Sequence, residues 1–324
     1  MLTKVFGSIL HGVEAFRITV EVNIGKGVGY FITGQPDDVV RESLGRAEVA
    51  IKGLGFYMPR TKLTINLSPA HLRKTGAGFD LPIAVGILLA TGQVIGHGLP
   101  QEYIIAGELA LDGTVLPVRG ALCMASQAKA DGMKGIIVSR ENAREASLVD
   151  GIKVVGVAHL KELLEFIGGK SGMEEPAGEF LVGVTNDAGD PADFQDVRGQ
   201  ENVKRGLEIA AAGGHNILLY GPPGVGKTML ARRLPTILPS MTRAEMLETT
   251  RIHSLVNGPG SLVGLVTRRP FRNPHHTASD IALTGGGSSP MPGEISLAHN
   301  GVLFLDELYE FRRSAIEILR QPLE

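Results

Sequence analysis

The sequence predicts an α/β protein of two domains, the second built on a doubly wound parallel sheet. Three observations predict this fold class: strand patterns alternate with helix patterns, the composition changes near residue 168, and a glycine-rich loop lies between a strand pattern and a helix pattern. At 324 residues the chain exceeds what one hydrophobic core usually serves, so two domains are expected.

The first domain is predicted over residues 1–167. Residues 40–54 have the apolar spacing of a helix, and Asp37 is placed to cap its start. Asp112-Gly113 predicts a hairpin with a type I′ turn. Alternating apolar and polar residues predict strands over 16–24 and 62–67, and short strands are also predicted over 135–139 and 153–157. Further helices are predicted from about Gly120, near Glu141 and ending at Ile167. This domain is therefore expected to be a compact α/β unit.

The second domain is predicted over residues 193–324, after a linker at 168–192 that is rich in glycine, proline and charge. Its predicted order is a helix over 201–212, a buried strand over 216–220, the glycine-rich loop, a helix, a long irregular stretch and a strand over 302–305. This order fits a parallel, doubly wound sheet.

Composition excludes several classes of protein. The 32 basic and 34 acidic residues give a net charge of −2, so no global field would attract nucleic acid or membrane. Cys123 is the single cysteine, which excludes an internal disulfide and a four-thiolate zinc site; we interpret it as a buried apolar residue. No signal peptide or membrane span is predicted, so we expect a soluble, cytoplasmic protein without a membrane partner.

A nucleotide site is predicted at the glycine-rich loop, where the pattern G-x-x-x-x-G-K-T follows a strand and precedes a helix. Phosphate oxygens need backbone N–H donors at close range, which a loop with few side chains provides. Lys227 would pair with the outer phosphates and Thr228 would ligate Mg²⁺, so the expected cofactors are ATP and Mg²⁺. The residues predicted to contact the nucleotide are Gly221, Pro222, Pro223, Gly224, Val225, Gly226, Lys227, Thr228 and Met229.

The second half of this site is predicted in GVLFLDE. The apolar residues 302–305 form a strand that delivers Asp306 and Glu307 to its carboxyl end, where open α/β sheets bind nucleotide. We expect Asp306 to hold Mg²⁺ and Glu307 to orient and polarise the attacking water; Glu307 and Lys227 are the predicted catalytic residues.

At these two motifs the chain resembles the magnesium-chelatase-like AAA+ ATPases of the bacterial YifB/ComM group. The resemblance is carried by DVRGQENVKRGLEIAAAGGHNILLYGPPGVGKTMLA, RPFRNPHHTASDIALTGGG and PGEISLAHNGVLFLDEL. It implies a hexameric ring ATPase that acts on DNA in branch migration during natural transformation, and it places Val197 against the adenine. In that family the ATPase continues to a sensor residue, an arginine finger and a helical lid. Residues 193–324 are expected to lack these parts, as in a fragment.

The first domain resembles the proteolytic domain of Lon proteases, through KTGAGFDLPIAVGILLATG and IAGELALDGTVLPVRGAL. Gly78 stands where that family has its serine nucleophile, and Leu122 stands where it has its lysine. A domain without either group should not cleave peptides, although Ser68 and Lys74 lie nearby as substitutes. We interpret this domain as a scaffold or partner-binding module.

The insert over residues 241–300 contains Arg268, Arg269 and Arg272 beside Phe271. This composition suits phosphate contact with base stacking, but it also suits a solvated loop. The residues alone leave both interpretations open, and the resemblance favours DNA.

His275 and His276 invite a metal hypothesis, but adjacent residues point in different directions and no third ligand lies at metal-binding spacing. We expect them to form hydrogen bonds within the insert or to meet the phosphates.

The leading functional hypothesis is an ATP-driven, DNA-acting ring motor. Two alternatives stay open: a chelatase-type motor for metal insertion, and a chain that binds nucleotide or a partner without turnover of its own.

Overall fold

The computed structural model describes residues 2–97, 99–169, 193–260, 264–287 and 290–323. The chain divides into two compact units: Met1–Phe180 with Asn257–Val263, and Leu181–Val256 with Gly264–Glu324. The division near residue 180 falls inside the predicted linker, of which residues 170–192 lie outside the described residues.

The first unit is organised around a seven-stranded mixed sheet with the order β3-β4-β2-β1-β5-β8-β9. Its elements are β1 (Leu2–His11), β2 (Glu14–Gly25), β3 (Tyr30–Thr33), α1 (Asp38–Gly53), β4 (Lys62–Ser68), α2 (Asp80–Ala90), β5 (Tyr103–Ile105), β6 (Glu108–Leu109), β7 (Val115–Leu116), α3 (Ala121–Ala130), β8 (Gly135–Ser139), α4 (Arg140–Ala146), β9 (Lys153–Val157) and α5 (Leu160–Ile167). The neighbours β3–β4, β1–β5, β5–β8 and β8–β9 are parallel, whereas β1–β2 and β2–β4 are antiparallel. The elements that the sequence predicts in this unit are all present.

The helix α2 is the centre of the first core, because every one of its residues is buried. A Cβ on Gly86 would lie 2.6 Å from Val22 Cγ2, so the glycine lets α2 approach β2 closely. At the start of α1, the Asp37 side chain accepts a hydrogen bond of 2.8 Å from Val40 N, as predicted. Cys123 is buried, 1% exposed, in α3.

The hairpin at Asp112-Gly113 forms between β6 and β7, but its predicted turn type is wrong. Gly113 has a φ of 92°, whereas Asp112 is not among the residues with positive φ. Gly113 N donates to Ala110 O (3.0 Å), so the turn begins two residues before Asp112. The loop is therefore longer than two residues, and it follows the pattern in which a positive-φ glycine comes after the turn rather than inside it.

The second unit combines helices with two short strand pairs. Its elements are α6 (Glu201–Gly213), α7 (Lys227–Arg233), α8 (Arg243–Val256), β10 (Phe271–Arg272), α9 (Asp280–Thr284), β11 (Gly285–Gly286), β12 (Met291–Pro292), α10 (Glu294–Leu297), β13 (Val302–Leu303), α11 (Arg313–Ile318) and α12 (Arg320–Leu323). β10 and β13 are parallel, and β11 and β12 are antiparallel. The chain as a whole is α/β, as predicted.

The stretch predicted to be irregular contains the 14-residue helix α8. Thr242 Oγ1 accepts from Glu245 N (3.3 Å), and Glu245 Oε2 accepts from Thr242 N (2.7 Å). This is the capping box T-x-x-E, a start signal that the sequence contains and that the prediction missed.

The predicted strand over 216–220 is also not observed. Leu218 is 78% exposed and Tyr220 is 99% exposed, so the segment is not buried. A strand is held by ladder hydrogen bonds to a neighbour, and no described residue pairs with this segment. The apolar composition is that of a sheet centre, but composition does not supply a partner strand.

None of the helices in the described ranges has the length and apolarity needed to cross a bilayer.

A buried ion pair joins α1 to the start of α2. The Asp80 side chain is 0% exposed and accepts from Arg46 Nε (2.7 Å), from Arg46 Nη2 (3.0 Å) and from Leu109 N (3.0 Å). The hydrogen bond to Asp80 raises the pKa of Arg46. Because the carboxylate is fully buried, these donors must offset the free energy that it loses by leaving water.

We predict that Arg46→Met destabilises the protein by about 3 to 5 kcal/mol, because it leaves a buried carboxylate without its cation. Urea denaturation measures the change. The matched control is Arg41→Met on the same helix, since Arg41 pairs with Asp38 at the surface, where the two side chains are 62% and 92% exposed. The control should cost less than about 1 kcal/mol. Equal losses of unfolding free energy in the two variants would contradict the role given to the buried Arg46–Asp80 pair.

Candidate nucleotide-binding site

The glycine-rich loop, residues 221–226, leads directly into α7 at Lys227. Gly224 and Gly226 have φ values of 82° and 88°, a region that residues with a Cβ rarely adopt. A Cβ on Gly224 would meet no atom within 4 Å, so the glycine is required by the backbone conformation rather than by crowding. The sequence therefore builds a loop whose backbone is open to a ligand.

The Lys227 ammonium lies against this loop. Lys227 Nζ donates to Gly221 O (2.9 Å) and to Pro222 O (3.0 Å). These hydrogen bonds hold the positive charge on the loop itself, where the sequence predicts the outer phosphates. A positive charge held beside backbone N–H donors is the combination that recognises a polyphosphate.

Thr228 and Asp306 come from the two separate motifs, and the structure brings them into contact. Thr228 Oγ1 donates to Asp306 Oδ2 at 2.9 Å, across a sequence separation of 78 residues. A hydroxyl and a carboxylate are hard oxygen ligands of the kind that Mg²⁺ takes together with water and substrate phosphates. No group of three His, Cys, Asp or Glu residues suited to a metal occurs within the described ranges. The donor set fits a magnesium ion shared with a nucleotide rather than a metal held by protein alone.

The strand β13 delivers Asp306 to this contact. Val302 N donates to Pro270 O (2.8 Å) and Phe304 N donates to Arg272 O (2.8 Å), which extends the ladder on both sides of β13. A Cβ on Gly301 would collide with the Pro270 carbonyl oxygen, so only glycine fits there. The parallel pairing with β10 thus fixes where the acidic pair leaves the sheet.

Glu307 follows in a left-handed conformation, with φ 54° and ψ 53°. Its N–H donates to Asp306 Oδ1 (3.1 Å), and its side chain is 60% exposed. A non-glycine residue in this region is uncommon and is held there by its surroundings. The backbone turn therefore separates the two carboxylates: Asp306 turns to Thr228, and Glu307 faces solvent.

His276 lies beside Glu307, which the sequence did not predict. His276 Nδ1 is 3.9 Å from Glu307 Oε2, and the rings of His275 and His276 have centroids 4.1 Å apart. The feature that could have indicated this proximity is their place in the chain, because both histidines follow the carboxyl end of β10, the parallel neighbour of β13. The expected hydrogen bonding within the insert is present, since His275 Nδ1 lies 2.9 Å from Thr277 Oγ1.

Val197, the residue placed against the adenine by resemblance, is 3% exposed. It packs in a small core with Phe194, Leu207 and Leu230. Leu230 belongs to α7, the helix that follows the glycine-rich loop, so Val197 shares a small core with that helix. Its contact with adenine stays a prediction. Of the flanking residues, Val225 and Met229 are each 41% exposed.

The three arginines of the insert do not form one exposed cluster. Arg269 donates to Pro239 O (2.5 Å) and Asn300 O (2.7 Å), and its side chain is 15% exposed. Arg272 makes a bidentate pair with Glu294 through distances of 2.6 and 2.7 Å. Both guanidinium groups are thus engaged inside the unit, and only Arg268 of the three is exposed. Contact of these arginines with DNA stays a prediction.

The two positions that the resemblance aligns with the Lon nucleophile and base hold Gly78 and Leu122, which have no reactive group. Leu122 is 0% exposed, and its N–H donates to Glu145 Oε1 (3.1 Å). Gly78 has Val118 beside it, 3.6 Å from where a Cβ would stand. Lys74 is fully buried, which lowers the pKa of its ammonium, and its Nζ donates to Pro69 O. No hydrogen bond joins the Ser68 hydroxyl to Lys74, both of which the structure describes.

Two protein-family models match the chain, one in the first unit and one mostly in the second. The family model "Magnesium chelatase, subunit ChlI" matches residues 193–324, and the model "Subunit ChlI of Mg-chelatase" matches residues 20–142. A shorter similarity links the chain to Lon protease 2 of Bacillus subtilis, 29% identical over 145 residues that cover 41% of this chain and 25% of the protease.

Two similar proteins match nearly the whole chain. YifB of Salmonella typhimurium is 48% identical over 314 residues, 97% of this chain and 61% of that protein. The competence protein ComM of Haemophilus influenzae is 43% identical over 325 residues, 100% of this chain and 63% of that protein. The chain thus spans about three-fifths of the length of these relatives. With both motifs assembled and this similarity along its length, the chain belongs to the YifB/ComM family of magnesium-chelatase-like proteins.

Proposed function

We propose that the protein is a magnesium-dependent ATPase that works as a ring-shaped motor on DNA. The observation that carries the ATPase part is the 2.9 Å hydrogen bond between Thr228 and Asp306. It joins the phosphate-binding loop to the acidic strand end, and ATP hydrolysis requires these two elements side by side.

Each side chain has a distinct role in this proposal. Backbone amides of the loop 221–226 bind the phosphates, and Lys227 balances the charge of the outer ones. Thr228 and Asp306 would hold Mg²⁺, which would neutralise the negative charge of the phosphates. Glu307, which faces solvent beside Asp306, orients and polarises the attacking water. Val197 packs against the adenine.

The DNA-acting ring is supported by the relatives rather than by the site. A protein named for competence, ComM, is 43% identical along the chain, and the resemblance implies a hexamer. Arg268, exposed in the insert, is the arginine we assign to a DNA phosphate.

The alternative within the same ATPase class is a motor that drives metal insertion, favoured by the name of the matching family model. The two functions differ in what stimulates ATP turnover. Duplex and branched DNA added to the complete protein should raise the rate of phosphate release several-fold if the proposal holds. A rate that DNA leaves unchanged supports the chelatase-type motor. Absence of any Lys227-dependent turnover supports a chain that only binds nucleotide or a partner.

We further propose that the first unit is a scaffold or partner-binding module without peptidase activity. Its Lon-like positions hold Gly78 and a buried Leu122, and a nucleophile needs both a reactive group and a base.

We predict that Lys227→Ala weakens ATP binding by about 10- to 150-fold, because it removes hydrogen bonds from a charged donor. Fluorescence titration with a labelled ATP analogue measures the affinity. Lys204→Ala, which removes a lysine paired with Glu201 on α6, is the matched control and should bind as the parent does. Unchanged binding in Lys227→Ala would remove the loop from its assigned role.

We predict that Glu307→Gln in the complete protein binds ATP normally and hydrolyses it at least about 100-fold more slowly, because the amide cannot act as a base. Phosphate release and nucleotide affinity are measured on the same preparation. Glu310→Gln, which changes another exposed glutamate three residues further on, is the control. Normal turnover in Glu307→Gln would exclude Glu307 as the group that activates water.

We predict that Arg268→Ala weakens DNA binding and reduces the slope of log affinity against log salt by about 1, as expected for one lost phosphate contact. Fluorescence anisotropy over a salt series measures both quantities. Arg313→Ala, at an arginine that is 91% exposed on α11, is the control. Equal slopes for the two variants would favour the interpretation of residue 268 as part of a solvated loop.

A further inference from the structure

The exposed carboxylate of Glu307 lies next to the imidazole of His276. Glu307 Oε2 lies 3.9 Å from His276 Nδ1. Within the described part of the chain, no hydrogen bond joins this carboxylate to another side chain, since the hydrogen bond at Glu307 is made by its N–H. His276 is therefore the polar group placed to influence where the carboxylate points.

The His276 ring is itself held in place on two sides. One side contacts the His275 ring, at 4.1 Å between centroids, and the other meets the edge of Phe311, at 6.5 Å and 78°. Phe311 is 5% exposed and packs with Leu283 and Ala315. His275 is in turn fixed by Thr277. The imidazole thus has a defined position although it is 32% exposed.

Glu307 needs such a neighbour. Its backbone is fixed in the left-handed region, but its side chain is long and 60% exposed, so burial restricts its rotamers little. A group that activates water must be held within a fraction of an ångström of its productive geometry. A ring N–H at this distance reaches the carboxylate after a small side-chain rotation.

The fold explains why these two residues meet. β10 and β13 are parallel neighbours, and both side chains follow the carboxyl ends of these strands. The segment with His276 also continues from the exposed Arg268 through β10, so a shift of that strand would change the distance between imidazole and carboxylate.

We propose that His276 is the positioning residue for Glu307: it donates from its ring to the carboxylate and holds it towards the attacking water without contacting ATP itself. This inference rests on the proposed ATP hydrolysis and on Glu307 as the residue that activates water. It names a partner for Glu307 from outside both nucleotide-binding motifs.

Two substitutions in the complete protein separate positioning from packing. His276→Phe keeps a ring against His275 and Phe311 but removes the donor, and we expect kcat to fall about 10- to 100-fold with ATP affinity unchanged. His276→Gln keeps an N–H donor, and we expect it to retain most of the parent's kcat. His299→Phe is the matched control, because His299 Nε2 lies 3.2 Å from Glu248 in the same unit, and it should hydrolyse ATP as the parent does.

The outcomes are distinguishable. A parental kcat in His276→Phe, an equal loss in the Phe and Gln variants, or a joint loss of ATP binding and turnover would overturn the positioning role. In those cases Glu307→Gln still stops hydrolysis and the proposed function stands. If the parent shows no Lys227-dependent hydrolysis, or Glu307→Gln hydrolyses normally, both the proposed function and this inference are overturned.

Discussion

The hydrogen bond between Thr228 and Asp306 is the constraint on which the candidate site depends. The two residues come from motifs 78 positions apart, and the proposed magnesium-nucleotide site requires both motifs side by side. The hydrogen bond is 2.9 Å long, within the normal range, and it joins an oxygen donor to an oxygen acceptor. Both atoms are hard oxygen ligands, which is why the proposed site assigns a divalent cation to this pair.

This contact is the product of backbone features rather than of side-chain packing. Gly226 turns the chain in the left-handed region immediately before Lys227, which sets the direction of α7 and of Thr228. On the other side, Gly301 allows the chain to pass the Pro270 carbonyl, so that β13 can pair with β10. The left-handed Glu307 then separates its own carboxylate from that of Asp306. Three local conformations thus determine the positions of three functional oxygen groups.

The sequence predicted the parts of the fold that are determined locally. The cap at Asp37 and the period-two strands of the first unit depend on neighbours along the chain, and they are present. The strand over 216–220 depends on pairing with another strand, and composition cannot state whether a partner is there. The arginines show the same limit at the level of a site: Arg269 and Arg272 look like a cationic cluster in sequence, but the acidic residues Glu245 and Glu294 that engage them are distant in sequence.

The proximity of His276 to Glu307 could not be predicted from the sequence for a related reason. Two adjacent histidines carry little information by themselves, and their importance arises from the parallel pairing of β10 with β13. That pairing places the end of one strand beside the end of the other, so a residue of the insert reaches a residue of the acidic motif. A pairing between strands about 30 residues apart cannot be deduced from either segment alone.

The first unit shows that similarity of sequence and fold does not imply that reactive side chains are present. Its similarity to a Lon protease covers 145 residues, yet the positions that would hold the reactive groups are filled by Gly78 and by a fully buried Leu122. The N–H of Leu122, in the first turn of α3, donates to the buried carboxylate of Glu145 in α4. The same fold is kept by its core, centred on α2 and on the Arg46–Asp80 pair, and that core is independent of catalysis. The side chains that carry the proposed chemistry, Thr228, Asp306 and Glu307, lie in the second unit.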